Sequence, residues 1–418
     1  MKTFALILGL ALSQAAAAAP VSVLFVGNSY TFGRVDPVMH YNAANVRDLT
    51  AAMYAANPAG ANVFEPHPWG GVPGIFKQFT VEFGLNYDVA ISARNAASLR
   101  GQFLNTNSAG WDLRGNIGSQ TWSKVVLQDQ SDEPLNRHVP LPPQPSTPIL
   151  PSNPEYSRNY ADKIENYVHS SASQSWRERD FFPGADSTAK QAACALVYSA
   201  GTCSQLRTQV GSPNASAATQ MYLYETWARP NLMTGAFQTT TDPVTGAITR
   251  TSNPATTYFN TLEEMTAELK QAALETTVIA KADGTAGFKA VAPVGEAFMS
   301  AVQSGLATRD FWGPNALTDG LIDLWLDDGT HASKYGSYLS ALTLFGTLTG
   351  FNPAQLGVSE IAARDLGISA TDAQALQRIA AQQLGFSADV PEPGTLALSG
   401  LALVLLLLPG ARRRKRRT

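Results

Sequence analysis

Ser22-Val23-Leu24-Phe25-Val26-Gly27-Asn28-Ser29-Tyr30-Thr31 is an apolar run that stops at a Gly-x-Ser turn. Apolar residues without alternation suit a strand covered on both faces, as in a parallel sheet. A turn at the end of such a strand lifts the Ser29 hydroxyl clear of the sheet edge, which makes Ser29 a candidate nucleophile. Far downstream, Leu326-Asp327-Asp328-Gly329-Thr330-His331 sets an acid three residues before a histidine. A serine hydroxyl is a poor nucleophile until a base takes its proton, and the base works better when an acid fixes its tautomer. Asp328 and His331 supply both partners from one turn ahead of the amphipathic run 334–344, and Asp327 takes the acid's role if the turn is shifted by one residue. Together the two segments predict a hydrolase.

Outward from the first strand, strands alternate with helices. Residues 43–56 read as a helix ending at Asn57-Pro58. Strand-like runs follow at 61–64 and 87–93 around a helix at 75–83, and the next strands are 123–128, 220–227 and 287–293. Helices are expected at 155–170, 258–282, 295–306 and 332–348. This rhythm predicts an α/β fold of three layers, α/β/α, around a mostly parallel open sheet. Residues 136–218 break the rhythm with seven prolines between 139 and 154 and with the chain's two cysteines, and read as a long insertion after the strand ending at Gln128. Such an insertion overhangs the active edge of the sheet, as a lid or as a passive elaboration. Cys194 and Cys203 are expected to form a local disulfide, and two cysteines alone make no structural zinc site. The domain is expected to span 20–350, followed by a helical extension over 351–389 that includes a helix at 372–384.

Both ends carry processing signals. Residues 1–19 hold Lys2, an apolar stretch and a run of alanines, the layout of a secretory signal peptide. At the other end, Val390-Pro391-Glu392-Pro393-Gly394 precedes an apolar segment from Leu396 to Leu408 and the basic cluster Arg412-Arg413-Arg414-Lys415-Arg416-Arg417. The apolar segment is a marginal transmembrane helix at about 1.5 Å per residue against a hydrocarbon core of roughly 30 Å. Residues 390–418 resemble the PEP-CTERM sorting signal of Gram-negative bacteria. The resemblance implies export to the periplasm, cell surface or extracellular matrix, a transient membrane anchor, processing by signal peptidase and an exosortase, and an exopolysaccharide context. Removal of Lys2 and the six terminal cations takes the formal charge from −3 to −10, which argues against nucleic acid as a partner.

The hydrolase segments resemble the SGNH, or GDSL-like, superfamily, in which the nucleophile follows the first strand and Asp-x-x-His lies near the end of the domain. Val26-Gly27-Asn28-Ser29-Tyr30-Thr31 and Leu127-Gln128-Asp129-Gln130-Ser131 are similar to a bacterial branch with Gly-Asn-Ser-Tyr-Thr and Leu-Gln-x-Gln-Ser. The resemblance implies a flavodoxin-like fold and a secreted serine esterase with Ser29 as nucleophile, His331 as base and Asp328 as its orienter. No metal or organic cofactor is required. The superfamily's oxyanion hole joins the nucleophile's N–H to an Asn amide and a Gly N–H. Here Gln128 or Gln130 stands for the Asn, and Arg94-Asn95-Ala96-Ala97-Ser98 stands for the Gly block, with Ala97 as its donor. Acylated carbohydrate is the implied substrate. The alternative is a catalytically inactive polysaccharide-binding protein of the same fold.

Other residues carry less. His40, His67, His138 and His169 lack ligand spacing and read as satisfied histidines, and Asp129, Asp132 and Glu133 read as a solvated loop rather than a cation site. The seven tryptophans read mainly as core.

Overall fold

A computed structural model describes residues 19–387 apart from 57–64, 106–111, 143–147, 234–236, 242–244, 246–247, 253–255 and 314. The first strand, β1 (Val21–Gly27), sits inside a sheet completed by β2 (Arg47–Asp48), β3 (Tyr87–Ala93), β4 (Lys124–Leu127), β5 (Gln220–Glu225) and β6 (Phe288–Pro293). The order is β6-β5-β4-β1-β3-β2, and every pairing is parallel. Apart from the two-residue edge strand β2, this is the doubly wound order with its switch point between β1 and β4. In β1 the side chains alternate, so Val23 and Phe25 enter one core cluster and Leu24 and Val26 the other. Burial on both faces explains why no polar residue interrupts the run.

Eight helices bear on the sheet and the site: α1 (Ser29–Phe32), α2 (Gly71–Glu82), α3 (Leu99–Leu104), α4 (Pro154–His169), α5 (Leu262–Ala282), α6 (Val294–Gln303), α7 (Lys334–Thr349) and α8 (Ala370–Gln383). Phe76 and Phe79 of α2, Phe298 of α6, Tyr338 and Phe345 of α7 and Leu376 of α8 pack with Phe25 on one face. Leu99 and Phe103 of α3 and Tyr160 and Ile164 of α4 pack with Val26 and Leu127 on the other. α7 is buried along nearly its whole length, as befits a helix apolar on all sides. Its start is fixed by Ser333, whose hydroxyl accepts from the N–H groups of Tyr335 and Gly336.

The strands expected at 87–93, 123–128, 220–227 and 287–293 are present, as are the sheet-covering helices. One expectation is corrected. Residues 43–56 are not one helix: a short 3-10 turn, Ala43–Asn45, leads into β2, and the helix covers only Ala51–Ala56. The Asp48 carboxylate accepts from the Thr50 N–H at 2.9 Å and the Trp69 N–H at 3.0 Å, and β2 pairs with β3, so tertiary bonds override the helix-favouring composition. Within the interval 136–218, α4 is the crossover helix that covers the sheet, while residues 174–209 form a separate small module. There the antiparallel strands Gln174–Arg177 and Leu206–Gln209 flank two short helices joined by the Cys194–Cys203 disulfide, its Cα atoms 5.9 Å apart. α8 packs into the α7 face of the core. The strand expected at 61–64, residues 1–18 of the expected signal peptide and residues 388–418 of the expected sorting tail lie outside the described residues. Among the described residues no helix is long and apolar enough to cross a membrane.

Candidate active site

Ser29 and His331, 302 positions apart, meet at the carboxyl end of the sheet: Ser29 Oγ lies 2.9 Å from His331 Nε2. The other ring nitrogen, Nδ1, lies 2.6 Å from Asp328 Oδ2. The second carboxylate oxygen, Oδ1, accepts from the N–H groups of Thr330 at 2.8 Å and His331 at 2.9 Å, so one short turn fixes both acid and ring. Gly329 makes the turn possible by holding φ at +61°. Burial pushes the Asp328 carboxyl up, but the hydrogen bond and charge of His331 and the two N–H donors outweigh it and hold the group below its ordinary range. Asp328 therefore stays ionised beside the imidazole. Behind the pair, Trp227 donates its Nε1–H to the Thr330 carbonyl at 2.9 Å and stacks on Tyr30, with ring centroids 4.2 Å apart.

All five histidines of the chain face a carboxylate: His40 faces Asp36, His67 Asp48, His138 Glu268, His169 Glu165 and His331 Asp328. An acid partner alone therefore does not single out a base. His40 and His169 spend the second nitrogen on the carbonyls of Pro66 and Thr219, whereas His331 presents it to a serine hydroxyl.

The strand-end turn explains how Ser29 is held. Asn28, fully buried, accepts from the Tyr30 N–H through Oδ1 at 3.1 Å, so its Nδ2 must face the Ala97 carbonyl at 3.3 Å and Gln130 Oε1 at 2.8 Å. That chain of bonds occupies the Gln130 Oε1 and leaves its Nε2–H₂ without a hydrogen bond among the described residues, and Gln130 lines the cavity beside Ser29. Gln128, by contrast, is fully buried. Its Oε1 accepts from the Asn28 N–H and the Thr31 hydroxyl, both at 2.9 Å, and its Nε2 donates to the Asp129 carbonyl. Gln128 thus locks the turn, and Gln130 is the glutamine facing the cavity. Gly27 is required here by close approach, because a Cβ at this position falls on Thr31 Oγ1 and Gln128 Oε1.

The second expected oxyanion donor is already engaged. The Ala97 N–H donates to the Arg94 carbonyl at 3.3 Å and is spent. Ala96 lines the cavity, its N–H has no partner among the described residues, and its φ of +52° lies in the left-handed region that glycine favours. The cavity, about 300 Å³, is lined by Ser29, Tyr30, Arg34, Asn95, Ala96, Gln130, Asp132, Arg229, Thr330 and His331. Sequence reasoning missed Arg34 and Arg229, lone cations in loops with no motif around them. It also left Trp227 unranked among the tryptophans. Asn28 carried a signal, a polar residue set between the strand-end glycine and the nucleophile.

Asp129 accepts from the N–H groups of Leu99 and Gln130, both at 2.8 Å, and with Asp132 and Glu133 does not form a set of converging ligands. The one such set among the described residues is Asp162, Glu165 and Asp283, whose oxygens lie within 4.8 Å of one another. These carboxylates already bind Lys163, His169, Thr285 and Asn166, and none of them lines the Ser29 cavity.

No protein-family profile matches the sequence, and no curated protein matches it. Two solved structures are similar. A crystal structure of a DUF4886 family protein from Bacteroides uniformis is 13% identical, with 90% of this chain and 99% of that chain covered and a TM-score of 0.42. A candidate SGNH hydrolase from Slackia heliotrinireducens is 15% identical, with 79% of this chain and 100% of that chain covered and a TM-score of 0.35. At these identities and scores the functional reading rests on the geometry of the residues above.

Proposed function

We propose that the chain is an exported serine ester hydrolase of the SGNH type, acting through an acyl-enzyme on O-acyl groups of carbohydrate. The observation that carries the reading is the continuous relay from Ser29 Oγ through His331 to Asp328, with contacts of 2.9 and 2.6 Å. Ser29 Oγ attacks the ester carbonyl carbon while His331 Nε2 takes its proton, and Asp328 stabilises the imidazolium that forms. The oxyanion receives the backbone N–H of Ser29, the N–H of Ala96 and the Gln130 amide. Collapse expels the alcohol with the proton from His331 and leaves the acyl group on Ser29. Water, deprotonated by the same imidazole, then adds to the acyl carbon, and collapse breaks the acyl–Oγ bond, returning the proton from His331 to Ser29 and releasing the acid. These steps use only side chains and backbone groups of this chain.

Catalysis is favoured over a purely binding role because a base and its acid are aligned on one hydroxyl in a cavity also lined by Ala96 and Gln130, an arrangement that sugar binding does not need. Export and the carbohydrate substrate are supported by the signal-like N-terminus and the sorting-like tail. The test is labelling of the purified protein by a fluorophosphonate, together with p-nitrophenyl acetate turnover. Ser29 is expected to be labelled, Ser29→Ala is expected to abolish both signals, and Asp328→Asn is expected to lower kcat by about 10⁴, the cost of a wrong tautomer in such relays. A folded protein that takes up no label and hydrolyses no ester would falsify the enzymatic reading and favour the binding protein.

A further inference from the structure

The cavity in front of Ser29 is lined by two guanidinium groups that the relay does not use. Arg34 follows α1 and is about one third exposed, and its one partner among the described residues is Glu65, whose fully buried carboxylate meets Nη1. Arg229 lies after β5 with its side chain 12% exposed. It is oriented by hydrogen bonds from Nε to Asn231 Oδ1 at 3.2 Å and from Nη1 to Ser131 Oγ at 2.9 Å. Its Nη2 makes no hydrogen bond among the described residues. The acid in the cavity, Asp132, lies 3.8 Å from Arg229 Nη1, too far to occupy a donor.

Each arginine thus engages a protein partner with part of its fork and lines the cavity that Ser29 also lines. Guanidinium donors favour an anionic acceptor, and a carboxylate matches the planar fork better than a hydroxyl or a carbonyl does. We propose that this site takes esters carrying a carboxylate close to the scissile bond, with Arg34 and Arg229 as its specificity-determining residues. The proposal rests on the esterase reading and names its substrate class. The carboxylate belongs either to the acyl group, as in a dicarboxylic half-ester, or to the alcohol, as in an acylated uronic acid.

The test compares kcat/KM for p-nitrophenyl acetate with mono-p-nitrophenyl succinate, and for acetylated methyl glucoside with acetylated methyl glucuronoside. In one of the two pairs the anionic ester is expected to be preferred at least about tenfold, the scale of one hydrogen bond to a charged group. That preference should shrink toward unity in Arg229→Gln and Arg34→Gln, survive in part in Arg34→Lys, and weaken as salt rises. The first pair reads a charged acyl group and the second a charged alcohol. Turnover of the neutral esters with no anionic preference in either pair, or a preference that both glutamine variants keep, overturns the proposal and leaves the esterase standing. If no ester is turned over, titration of succinate and methyl glucuronide onto Ser29→Ala decides instead. Binding that both glutamine variants lose supports the anion site, and absence of binding overturns it.

Discussion

Ala96 holds φ at +52° at the mouth of the cavity, a conformation that costs a residue with a Cβ about 1–2 kcal/mol and glycine very little. The strain persists because the Ala97 neighbour is tied on both sides, by its N–H to Arg94 and by its carbonyl to Asn28. Ala96→Gly is therefore expected to stabilise the protein by up to about 1 kcal/mol, after the entropy of the glycine is discounted. Urea midpoints measure it, and an unchanged or lower midpoint would mean that no strain is held there. The two glutamines should separate cleanly. Gln130→Ala removes a donor to the developing oxyanion and is expected to lower kcat about 10²- to 10³-fold, with a smaller loss of stability than Gln128→Ala because the Asn28 Nδ2 keeps its Ala97 partner. Gln128→Ala strands the Asn28 N–H and the Thr31 hydroxyl in a dry interior, at about 1–3 kcal/mol for each unsatisfied group, so its first symptom is lost stability. Parallel melting curves and rates for the two variants check the division.

Among the elements, those that followed a repeating pattern were legible. β1 and β4 announced themselves as apolar runs, and the Asp328-Gly329-Thr330-His331 turn could be read because its chemistry is local. What could not be read depended on distant partners. β2 exists because Arg47 and Asp48 pair with Ala90 and Ile91, and nothing in an alanine-rich stretch signals that edge. Tyr156, Tyr160 and Ile164 recur at helical spacing, which marks α4 as a helix, while its burial against Val26 and Leu127 follows from topology. The choice between Gln128 and Gln130 turned on which side of the sheet edge each amide faces. The disulfide module is a different kind of element, with its own small cluster of Phe182, Cys194 and Cys203. Closing a loop of this length stabilises by roughly 2–3 kcal/mol on chain-entropy grounds. Replacing both cysteines with serine is expected to raise hydrogen exchange within 174–209 and to leave p-nitrophenyl acetate turnover unchanged, because the module contributes no residue to the cavity. Lost turnover alongside unchanged exchange would instead couple the module to the site.

At the scale of the molecule, buried carboxyls set an unusual stability profile. Burial, reinforced by the charge of Asp129, raises the Glu133 carboxyl from 4.5 to about 8. Burial raises Glu360 from 4.5 to about 7 despite the Ala363 and Ala362 N–H groups it caps. Such groups keep a proton in the folded state that the unfolded chain releases, so stability falls as pH rises from about 4.5 to about 8. His169 acts in the same direction. Burial lowers its pKa, but the Glu165 and Thr219 hydrogen bonds outweigh that and raise it, so its contribution is full below 6.5 and lost as pH climbs through the folded value. The opposing groups, Asp48 and Asp328, are held below 3.8 by their histidine partners against the cost of burial. Their contribution is present above that value and is lost only as pH falls through the depressed one. The two trends meet near pH 4, between 3.8 and 4.5, so urea midpoints measured from about pH 3 to 8.5 are expected to peak there and to decline toward the alkaline end. Glu133→Gln removes one of the protons behind the decline and should flatten the limb between pH 5 and 8 while leaving the acid limb in place. A midpoint that climbs steadily to pH 8 would show that these carboxyls ionise freely in the folded protein, and the burial that raises Glu133 and Glu360 would then not govern their protons in solution.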